Sequence, residues 1–542
     1  MTAVNPITLE VVRNAIYSIA EEMRLNVMRT SRSPILKEAG DLSCALTDAQ
    51  GRIIAQGRDI PIHLGVMAFT VQKFLERVPA SELRDGDVYF TNQLEVGGNH
   101  LPDVKAITPV FFDGEIVAFA INLCHWPDIG GAVPGSYYTT AREIYQEGLQ
   151  IPPIRVFSAA GTERRVLDLI LLNVRGAEER EGDILGQRAA NEVAARRLKE
   201  VFTRYGRETT LACFSRFLDE SEQLMRAAIA EVPAGVYTGD DFLDNDGVVN
   251  ESRRVAVTIT VEGDRATFDF TGTDPQLVGP LNTTYYIACS AVYYATKALF
   301  GPAIPINAGC YRPFEILVPK GTLLNPLATA PVVGGNHETS RRAVDAIFKA
   351  LAPAIPDRIH AGSFGSSGVI IIGGTDPRGR QYISYETNGG GLGAGPRSDG
   401  ESGCQSNMGN TMNTPVEALE ASFPFRIESY ELVPGTGGRG RFRGGLALQR
   451  TVRLLHGTAT LTTMCERCVH PMFGLFDGEP GTPAKITLNP GGPDEQPIPG
   501  KINREIEAGM VIRIQTGGGG GYGPPVERSP SLLAADAADY ET

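Results

Sequence analysis

Residues 8–29 have the spacing of apolar side chains that is typical of an amphipathic helix. Charged residues such as Glu10 and Arg24 occupy the positions between the apolar ones. Steps of three and four place apolar side chains on one helical face, and Pro6 suits the first turn. The apolar positions are Leu9, Val12, Ile16, Ile19, Met23 and Val27. The pattern predicts a helix that packs one face against a core.

Short apolar runs separated by turn residues predict several strands after this helix. The expected strands cover residues 42–46, 52–55, 88–91, 106–112 and 115–122. Asp113-Gly114 is a turn pair that joins the last two strands as a hairpin. Helices are expected at residues 65–78 and at residues 180–231, the latter broken near Tyr205-Gly206.

The pattern changes after Pro233 and Gly235 to short strands, such as residues 255–261 and 266–270, between Gly, Pro and Asn residues. One further helix is expected at residues 340–352. The sequence therefore predicts an α+β fold in three parts. These are an N-terminal α+β domain over residues 1–232, a mostly β, Gly- and Pro-rich C-terminal region over residues 233–530, and a loose tail over residues 531–542.

Composition and charge narrow the class of protein. The 542 residues include 63 Asp and Glu against 50 Lys and Arg, a formal net charge of −13 that argues against nucleic-acid binding. No apolar stretch approaches the roughly 20 residues that span a bilayer, and the N-terminus lacks the pattern of a secretory signal. Eight cysteines are too sparse for a secreted disulfide scaffold. We therefore expect a cytoplasmic protein without a membrane segment.

Two of the seven histidines lie 25 residues apart, and each is followed by an aspartate three positions later. These pairs are His100 with Asp103, and His125 with Asp128. Asp41, directly before an expected strand, supplies a further carboxylate. Imidazole and carboxylate ligands suit Zn²⁺, Mn²⁺ or Fe²⁺. The spacing alone leaves two interpretations open, a metal site in the N-terminal domain or hydrogen-bonded loop histidines.

Other carboxylates are candidates for proton transfer. Asp128 is a possible ligand, an acceptor for His125 or a cap of the Gly130-Gly131 turn. Glu38, Glu143 and Glu147 are further candidates for an acid or base, and the alternative for each is a solvated carboxylate.

The glycine runs and the Cys465-x-x-Cys468 pair do not indicate a nucleotide site or a metal site. No GxxxxGK[ST] motif occurs, and no GxGxxG follows a strand in a βαβ unit, so ATP binding by this chain is not expected. The glycine runs at residues 389–391 and 517–521 are interpreted as sites of tight backbone packing. Cys465 and Cys468 lack a second ligand pair and are expected to be neighbouring thiols.

Ordered motifs over residues 7–528 resemble the hydantoinase B/oxoprolinase family, the HyuB-type subunit. The motifs include Glu38-Ala39-Gly40-Asp41, Asn99-His100-Leu101-Pro102-Asp103, His125-Trp126-Pro127-Asp128, Gly148-Leu149-Gln150-Ile151-Pro152-Pro153, Gly334-Gly335-Asn336 with Glu338-Thr339-Ser340, and Arg443-Gly444-Gly445. The resemblance implies one divalent metal ion held by Asp41, His100, Asp103 and His125. It also implies a hetero-oligomer with a HyuA-type, acetate-and-sugar-kinase-like partner that binds ATP.

The implied reaction is the ATP-dependent opening of a small cyclic amide, such as a hydantoin, 5-oxoproline or another lactam. The partner phosphorylates the amide oxygen, and this chain completes the hydrolysis with Asp128 or Glu143 moving the proton. Two alternatives remain open, a subunit of an acetone- or acetophenone-type ketone carboxylase and a non-catalytic scaffold for the partner.

Overall fold

The computed structural model describes residues 4–57 and 59–541. Within these residues the helices are α1 (Pro6–Thr30), α2 (Pro34–Lys37), α3 (His63–Leu75), α4 (Arg164–Leu172), α5 (Ala177–Tyr205), α6 (Arg207–Ala230), α7 (Tyr285–Phe300), α8 (Thr339–Leu351), α9 (Val416–Ser422) and α10 (Pro530–Glu541). The strands are β1 (Leu42–Asp48), β2 (Ile53–Gln56), β3 (Val88–Thr91), β4 (Asp103–Phe112), β5 (Glu115–His125), β6 (Ile154–Ser158), β7 (Gly161–Thr162), β8 (Gly235–Leu243), β9 (Arg253–Glu262), β10 (Arg265–Asp269), β11 (Phe314–Leu317), β12 (Val369–Thr375), β13 (Gln381–Glu386), β14 (Phe425–Val433), β15 (Ala447–Leu454), β16 (Thr458–Met464), β17 (Lys485–Leu488), β18 (Gln496–Ile498), β19 (Lys501–Glu507) and β20 (Val511–Gln515).

An antiparallel seven-stranded sheet, in the order β2-β1-β5-β4-β3-β6-β7, forms the framework of the N-terminal half. Helices α1 and α5 pack against each other and against this sheet. The apolar stripe of α1 is buried there, because Val12, Ile16 and Met23 have no exposed surface. The Asn5 side chain accepts a hydrogen bond from the Ile7 N–H at 2.8 Å and caps the helix that Pro6 begins.

A buried polar ladder joins α5 to the centre of the sheet. The Gln187 Nε2 donates to the Asn122 Oδ1 and to the Val104 carbonyl, both at 2.9 Å. The Gln187 Oε1 accepts the indole N–H of Trp126 at 3.0 Å. Because these groups have no exposed surface, their hydrogen bonds fix how α5 lies over β4 and β5.

Three further sheets follow residue 233, in the orders β11-β10-β9-β8, β13-β12-β16-β19 and β14-β15-β20-β17-β18. Helix α8 packs against β8 and β9, and α7 packs against both α8 and α3. Each sheet takes its strands from one side of residue 233. A single buried apolar cluster nevertheless extends from Leu9 to Tyr522, so the two halves share a core.

The glycine-rich segment near the C-terminus packs backbone against backbone. A Cβ at Gly519 would lie 1.9 Å from the Leu392 carbonyl oxygen, and one at Gly520 would lie 2.0 Å from the Phe473 carbonyl oxygen. Only glycine permits this approach, which agrees with the packing role expected from the sequence.

The α+β fold expected from the sequence is confirmed, and its differences from the expectation include two helices. Helix α7 was not predicted, because its sequence is apolar on nearly every side and shows no amphipathic period. The segment after residue 530 forms α10 rather than the loose tail expected, and the Asp536 carboxylate pairs with Arg443 and Arg528. Across the residues that the structure describes, we find no helix with the length and apolar character needed to cross a bilayer.

The polar ladder generates a stability prediction. Replacing Gln187→Leu leaves the Trp126 indole N–H and the Asn122 Oδ1 unpaired in the core. Unpaired buried groups cost about 1–3 kcal/mol each, so we expect the free energy of unfolding to fall by roughly 2–6 kcal/mol. Urea unfolding followed by circular dichroism measures the change. The exposed Arg196→Ala on the same helix is the control, and equal stability of the two variants would contradict the role of the ladder.

Candidate functional site

The antiparallel pairing of β4 with β5 brings Asp103 opposite His125, the first residue of one strand against the last of the other. His100 lies in the turn just before β4, where its carbonyl accepts the Asp103 N–H at 3.3 Å. One ligand atom from each of His100, Asp103 and His125 lies within 4.8 Å of the others. All three residues are buried. The sequence-predicted cluster therefore meets at the ends of two paired strands.

Asp41 borders this cluster. It precedes β1, and its carbonyl accepts the His125 N–H at 3.1 Å. Burial and the charge of Asp103 raise the pKa of Asp41 to about 7. Its carboxylate is not among the three groups within 4.8 Å of one another, so three of the four predicted ligands converge and Asp41 lies beside them.

Hydrogen bonds orient His100 from outside the cluster. Its Nδ1 donates to the Val333 carbonyl at 3.2 Å, while its Nε2 lies 2.8 Å from the Asp103 Oδ2. The Val332 and Val333 N–H groups donate to the Glu147 Oε1 at 2.8 and 2.9 Å. Burial raises the pKa of Glu147 to about 8. Glu147 thus holds the loop that sets the orientation and tautomer of His100.

Several polar atoms of the cluster lack a hydrogen-bond partner within the described part of the chain. They are the His125 Nδ1, the Asp103 Oδ1 and the Asn99 Oδ1, all buried. Burial lowers the pKa of His125 to about 3, which keeps the imidazole neutral. Although burial opposes it, the charges and hydrogen bonds of His100 and His63 hold the pKa of Asp103 well below its usual range. A neutral imidazole and an ionised carboxylate with unused lone pairs are the donor set of a nitrogen–oxygen metal site.

The structure adds polar residues that the sequence analysis did not select. The His63 Nδ1 lies 2.8 Å from the Ser43 Oγ, and its Nε2 lies 3.6 Å from the Asp103 Oδ2. The Asn336 Nδ2 lies 3.2 Å from the His100 Nε2, and the Asn336 Oδ1 accepts from the Asn99 Nδ2 at 3.2 Å. Asn99 and Asn336 stand in motifs that had been noted, whereas His63 had only the scarcity of histidine to mark it.

Aromatic side chains line the other side of His125. The Tyr137 hydroxyl lies 3.3 Å from the His125 Nε2 and 3.0 Å from the Tyr385 hydroxyl. The His337 ring stacks on Tyr137 with 5.5 Å between the ring centroids. Tyr385 lies on β13 and His337 precedes α8, so the C-terminal half contributes this side of the site.

The two carboxylates predicted to move protons have other roles. The Asp128 Oδ1 accepts the N–H groups of Gly130 and Arg175, and its Oδ2 accepts the Gly135 N–H and the Arg175 Nη1, all at 2.8–3.1 Å. Asp128 therefore shapes the loop after β5. Glu143 is exposed and forms a capping box with Gln146 at a short 3-10 turn. Both oxygens of Asp128 are occupied, in agreement with the cap of the Gly130-Gly131 turn expected as one of its roles, and Glu143 faces solvent. Proton transfer by either carboxylate stays a prediction.

Among the described residues, the cysteines and the other His, Asp and Glu side chains form no second cluster of this kind. All eight cysteines of the described chain are free thiols, including Cys465 and Cys468. In residues 4–57 and 59–541, His100, Asp103 and His125 form the one group of His, Cys, Asp or Glu side chains that could hold a metal ion.

The sequence of the chain is similar to a known family and to individual proteins. The sequence model of the hydantoinase B/oxoprolinase family matches residues 5–525. The caprolactamase subunit beta of Pseudomonas jessenii is 33% identical over 548 residues, covering 99% of this chain and 94% of that subunit. The 5-oxoprolinase 1 of Arabidopsis thaliana is 32% identical over 539 residues, covering 95% of this chain and 42% of that protein.

Solved structures share the whole fold. The crystal structure of the ATP-dependent caprolactamase from Pseudomonas jessenii superposes with a TM-score of 0.92 at 31% identity, covering 99% of this chain and 94% of that chain. A nucleotide-free acetone carboxylase superposes with a TM-score of 0.90 at 20% identity, covering 99% of this chain and 78% of that chain. The second likeness is one of fold alone.

The role of Asp128 generates a second prediction. In Asp128→Asn, the side-chain NH2 group meets either the Gly135 N–H and the Arg175 guanidinium or the backbone N–H groups of Gly130 and Arg175, donor against donor. We expect the free energy of unfolding to fall by about 2–3 kcal/mol, because a buried charged acceptor is lost. Thermal unfolding measures the change, with Glu143→Gln as the near-neutral control. An Asp128→Asn variant as stable as the wild type but without turnover would return Asp128 to the reaction.

Proposed function

This chain belongs to the hydantoinase B/oxoprolinase family, and from that premise we propose that it is the hydrolytic, metal-bearing subunit of an ATP-dependent cyclic amidase. The observation that carries the proposal is the buried cluster of His100, Asp103 and His125, whose His125 Nδ1 and Asp103 Oδ1 have no partner within the described residues. Polar atoms left unpaired in a core are costly unless a ligand completes them. A divalent cation bound by these residues would be such a ligand.

His100, Asp103 and His125 would hold the ion, with Asp41 as the fourth ligand. The mixed nitrogen and oxygen donors are compatible with Zn²⁺, Mn²⁺ or Fe²⁺. Such an ion polarises a carbonyl group and lowers the pKa of water toward about 7, which supplies a nucleophile at neutral pH.

The substrate is a small cyclic amide such as a hydantoin, 5-oxoproline or another lactam. Amide resonance makes its carbonyl carbon a poor electrophile, and phosphorylation of the amide oxygen removes that resonance. A HyuA-type, kinase-like partner that binds ATP would perform this step, because the present chain has no phosphate-binding loop motif. The name subunit beta of the caprolactamase relative and the greater length of 5-oxoprolinase 1 support a two-part enzyme.

Within this chain, the loop at Val333 fixes the orientation of His100, and Asn99 and Asn336 donate hydrogen bonds to Asp103. The burial of the cluster limits access of bulk water, which strengthens each electrostatic interaction there. We place this enzyme in the cytoplasm, where its free thiols would persist.

A ketone carboxylase subunit is the second candidate, supported by the fold shared with acetone carboxylase. The two reactions use the same donor set and differ in whether water or bicarbonate supplies the new bond. A non-catalytic scaffold is the third candidate. The unpaired buried atoms of His125 and Asp103 weigh against it, because leaving them unpaired destabilises the fold and a scaffold needs no ligand there.

An assay of the purified complex with its ATP-binding partner tests the function. The complex receives ATP with 5-oxoproline, hydantoin or caprolactam, or with acetone and ¹⁴C-labelled bicarbonate. We expect ring opening that requires ATP and is independent of bicarbonate. Fixation of the label into an acid product would replace this proposal with the carboxylase, and neither activity would favour the scaffold.

Replacement of His100→Ala gives a third prediction. The variant loses one ligand, so we expect the bound metal to fall to background and ring opening to fall at least 10³-fold, while assembly with the partner persists. Elemental analysis and gel filtration measure metal content and assembly, and His456→Gln, at an exposed position, is the control. Full metal content and turnover in His100→Ala would contradict the site.

A further inference from the structure

His337 lies one side chain away from the donor cluster. It follows Asn336, whose amide contacts His100 and Asp103, and only 8% of its side-chain surface is exposed. The ring stacks on Tyr137, the residue whose hydroxyl lies 3.3 Å from the His125 Nε2. This histidine therefore lies next to the residues that contact the cluster, without being part of the cluster.

Glu338 fixes which nitrogen of His337 carries the proton. The His337 Nδ1 lies 2.9 Å from the Glu338 Oε1. The same oxygen accepts the Ser366 hydroxyl at 3.0 Å and the Ser367 N–H at 3.1 Å. Three donors on one buried oxygen mark Glu338 as an acceptor, so His337 keeps its proton on Nδ1 and presents a lone pair at Nε2.

The His337 Nε2 has no hydrogen-bond partner among the described residues, although the ring is buried. A base held by a carboxylate on one nitrogen and free on the other is the arrangement used for proton transfer in hydrolytic enzymes. Burial lowers the pKa of His337, against the opposing influence of Glu338, which keeps the free nitrogen unprotonated at neutral pH. The pair is therefore arranged so that the His337 Nε2 can accept a proton.

The proposed reaction needs a group that delivers a proton to the ring nitrogen of the substrate. Water adds to the carbon of an O-phosphorylated cyclic imidate and gives an intermediate that can collapse in two ways. If the C–N bond breaks, the ring opens to an amine and an acyl phosphate. If the C–O bond to phosphate breaks, the lactam is restored and ATP has been spent without product. Protonation of the nitrogen decides between the two, because an amide anion is a very poor leaving group.

We propose that His337 is a catalytic residue that carries protons from the attacking water to the ring nitrogen, with Glu338 as its positioning residue. The inference rests on the proposed cyclic amidase function. As the water oxygen bonds to carbon, its first proton passes to Nε2 and then to the nitrogen. The second proton of the same water follows as the C–N bond breaks and its electron pair stays on nitrogen. The products are an amine and an acyl phosphate, which a second water converts to carboxylate and phosphate.

The coupling of the reaction, meaning the phosphate released per ring opened, distinguishes a catalytic role of His337 from a structural one. A residue needed only for packing would lower the amount of folded enzyme without changing how its intermediate collapses. A residue that protonates the nitrogen sets the ratio of phosphate released to rings opened.

The test compares His337→Gln with the wild type in the complex with the ATP-binding partner, on 5-oxoproline, hydantoin and caprolactam. We expect ring opening to slow by about 10²–10⁴-fold, the usual contribution of a general base. We also expect the phosphate released per ring opened to rise at least threefold, with bound metal and melting temperature unchanged. Glu338→Gln should raise the same ratio less, since its amide oxygen can still accept from Nδ1. His360→Gln is the matched control, a histidine bonded to the adjacent Ala361 carbonyl.

Each result of this test has its own interpretation. Wild-type coupling in His337→Gln would overturn the inference and leave the amidase proposal intact, whether or not the rate falls. A loss of metal from His337→Gln would assign the residue to the metal site and also overturn it. A wild-type complex that opens none of the three rings would overturn the amidase proposal, and the inference with it.

Discussion

The structure depends on keeping two imidazoles and a carboxylate buried together with part of their hydrogen-bonding capacity unused. The pairing of β4 with β5 forces this arrangement, because it puts Asp103 opposite His125 and brings His100 to the same strand end. Each unpaired buried polar atom costs about 1–3 kcal/mol. The surrounding residues must therefore be fixed at positions where they form no hydrogen bond with these atoms. The ladder of Gln187 and Asn122 supplies rigidity on the α5 side of the sheet.

The second half of the chain completes the site. Val333 orients His100, Asn336 bridges His100 and Asp103, and Tyr385 contacts Tyr137 beside His125. The donors come from the first sheet and their orientation comes from the loop before α8 and from β13. Glu147 ties the two parts together, since it belongs to the first half and accepts the N–H groups of Val332 and Val333. The site is therefore a product of the shared core between the halves.

The sequence predicts the donors better than their surroundings. His100, Asp103 and His125 could be found because each lies in a short motif at the end of a predictable strand. His63 and Tyr385 could not, because their approach to the site is decided by long-range packing. The turn contacts of Asp128 agree with one of the roles expected for it, whereas its pairing with Arg175 depends on packing that residue spacing does not reveal. Helix α7 is not predicted because a helix buried on nearly every side has no broad polar face to set its period.

Anomalous diffraction from crystals of the purified protein, recorded at the Zn, Mn and Fe absorption edges, tests the central claim most directly. The account predicts one anomalous peak at roughly 2.0–2.2 Å from a nitrogen of His100, a nitrogen of His125 and an oxygen of Asp103. Asp41 should turn its carboxylate to the same peak. A crystal of active protein with no anomalous peak at these residues, or with its metal bound elsewhere, would contradict the account.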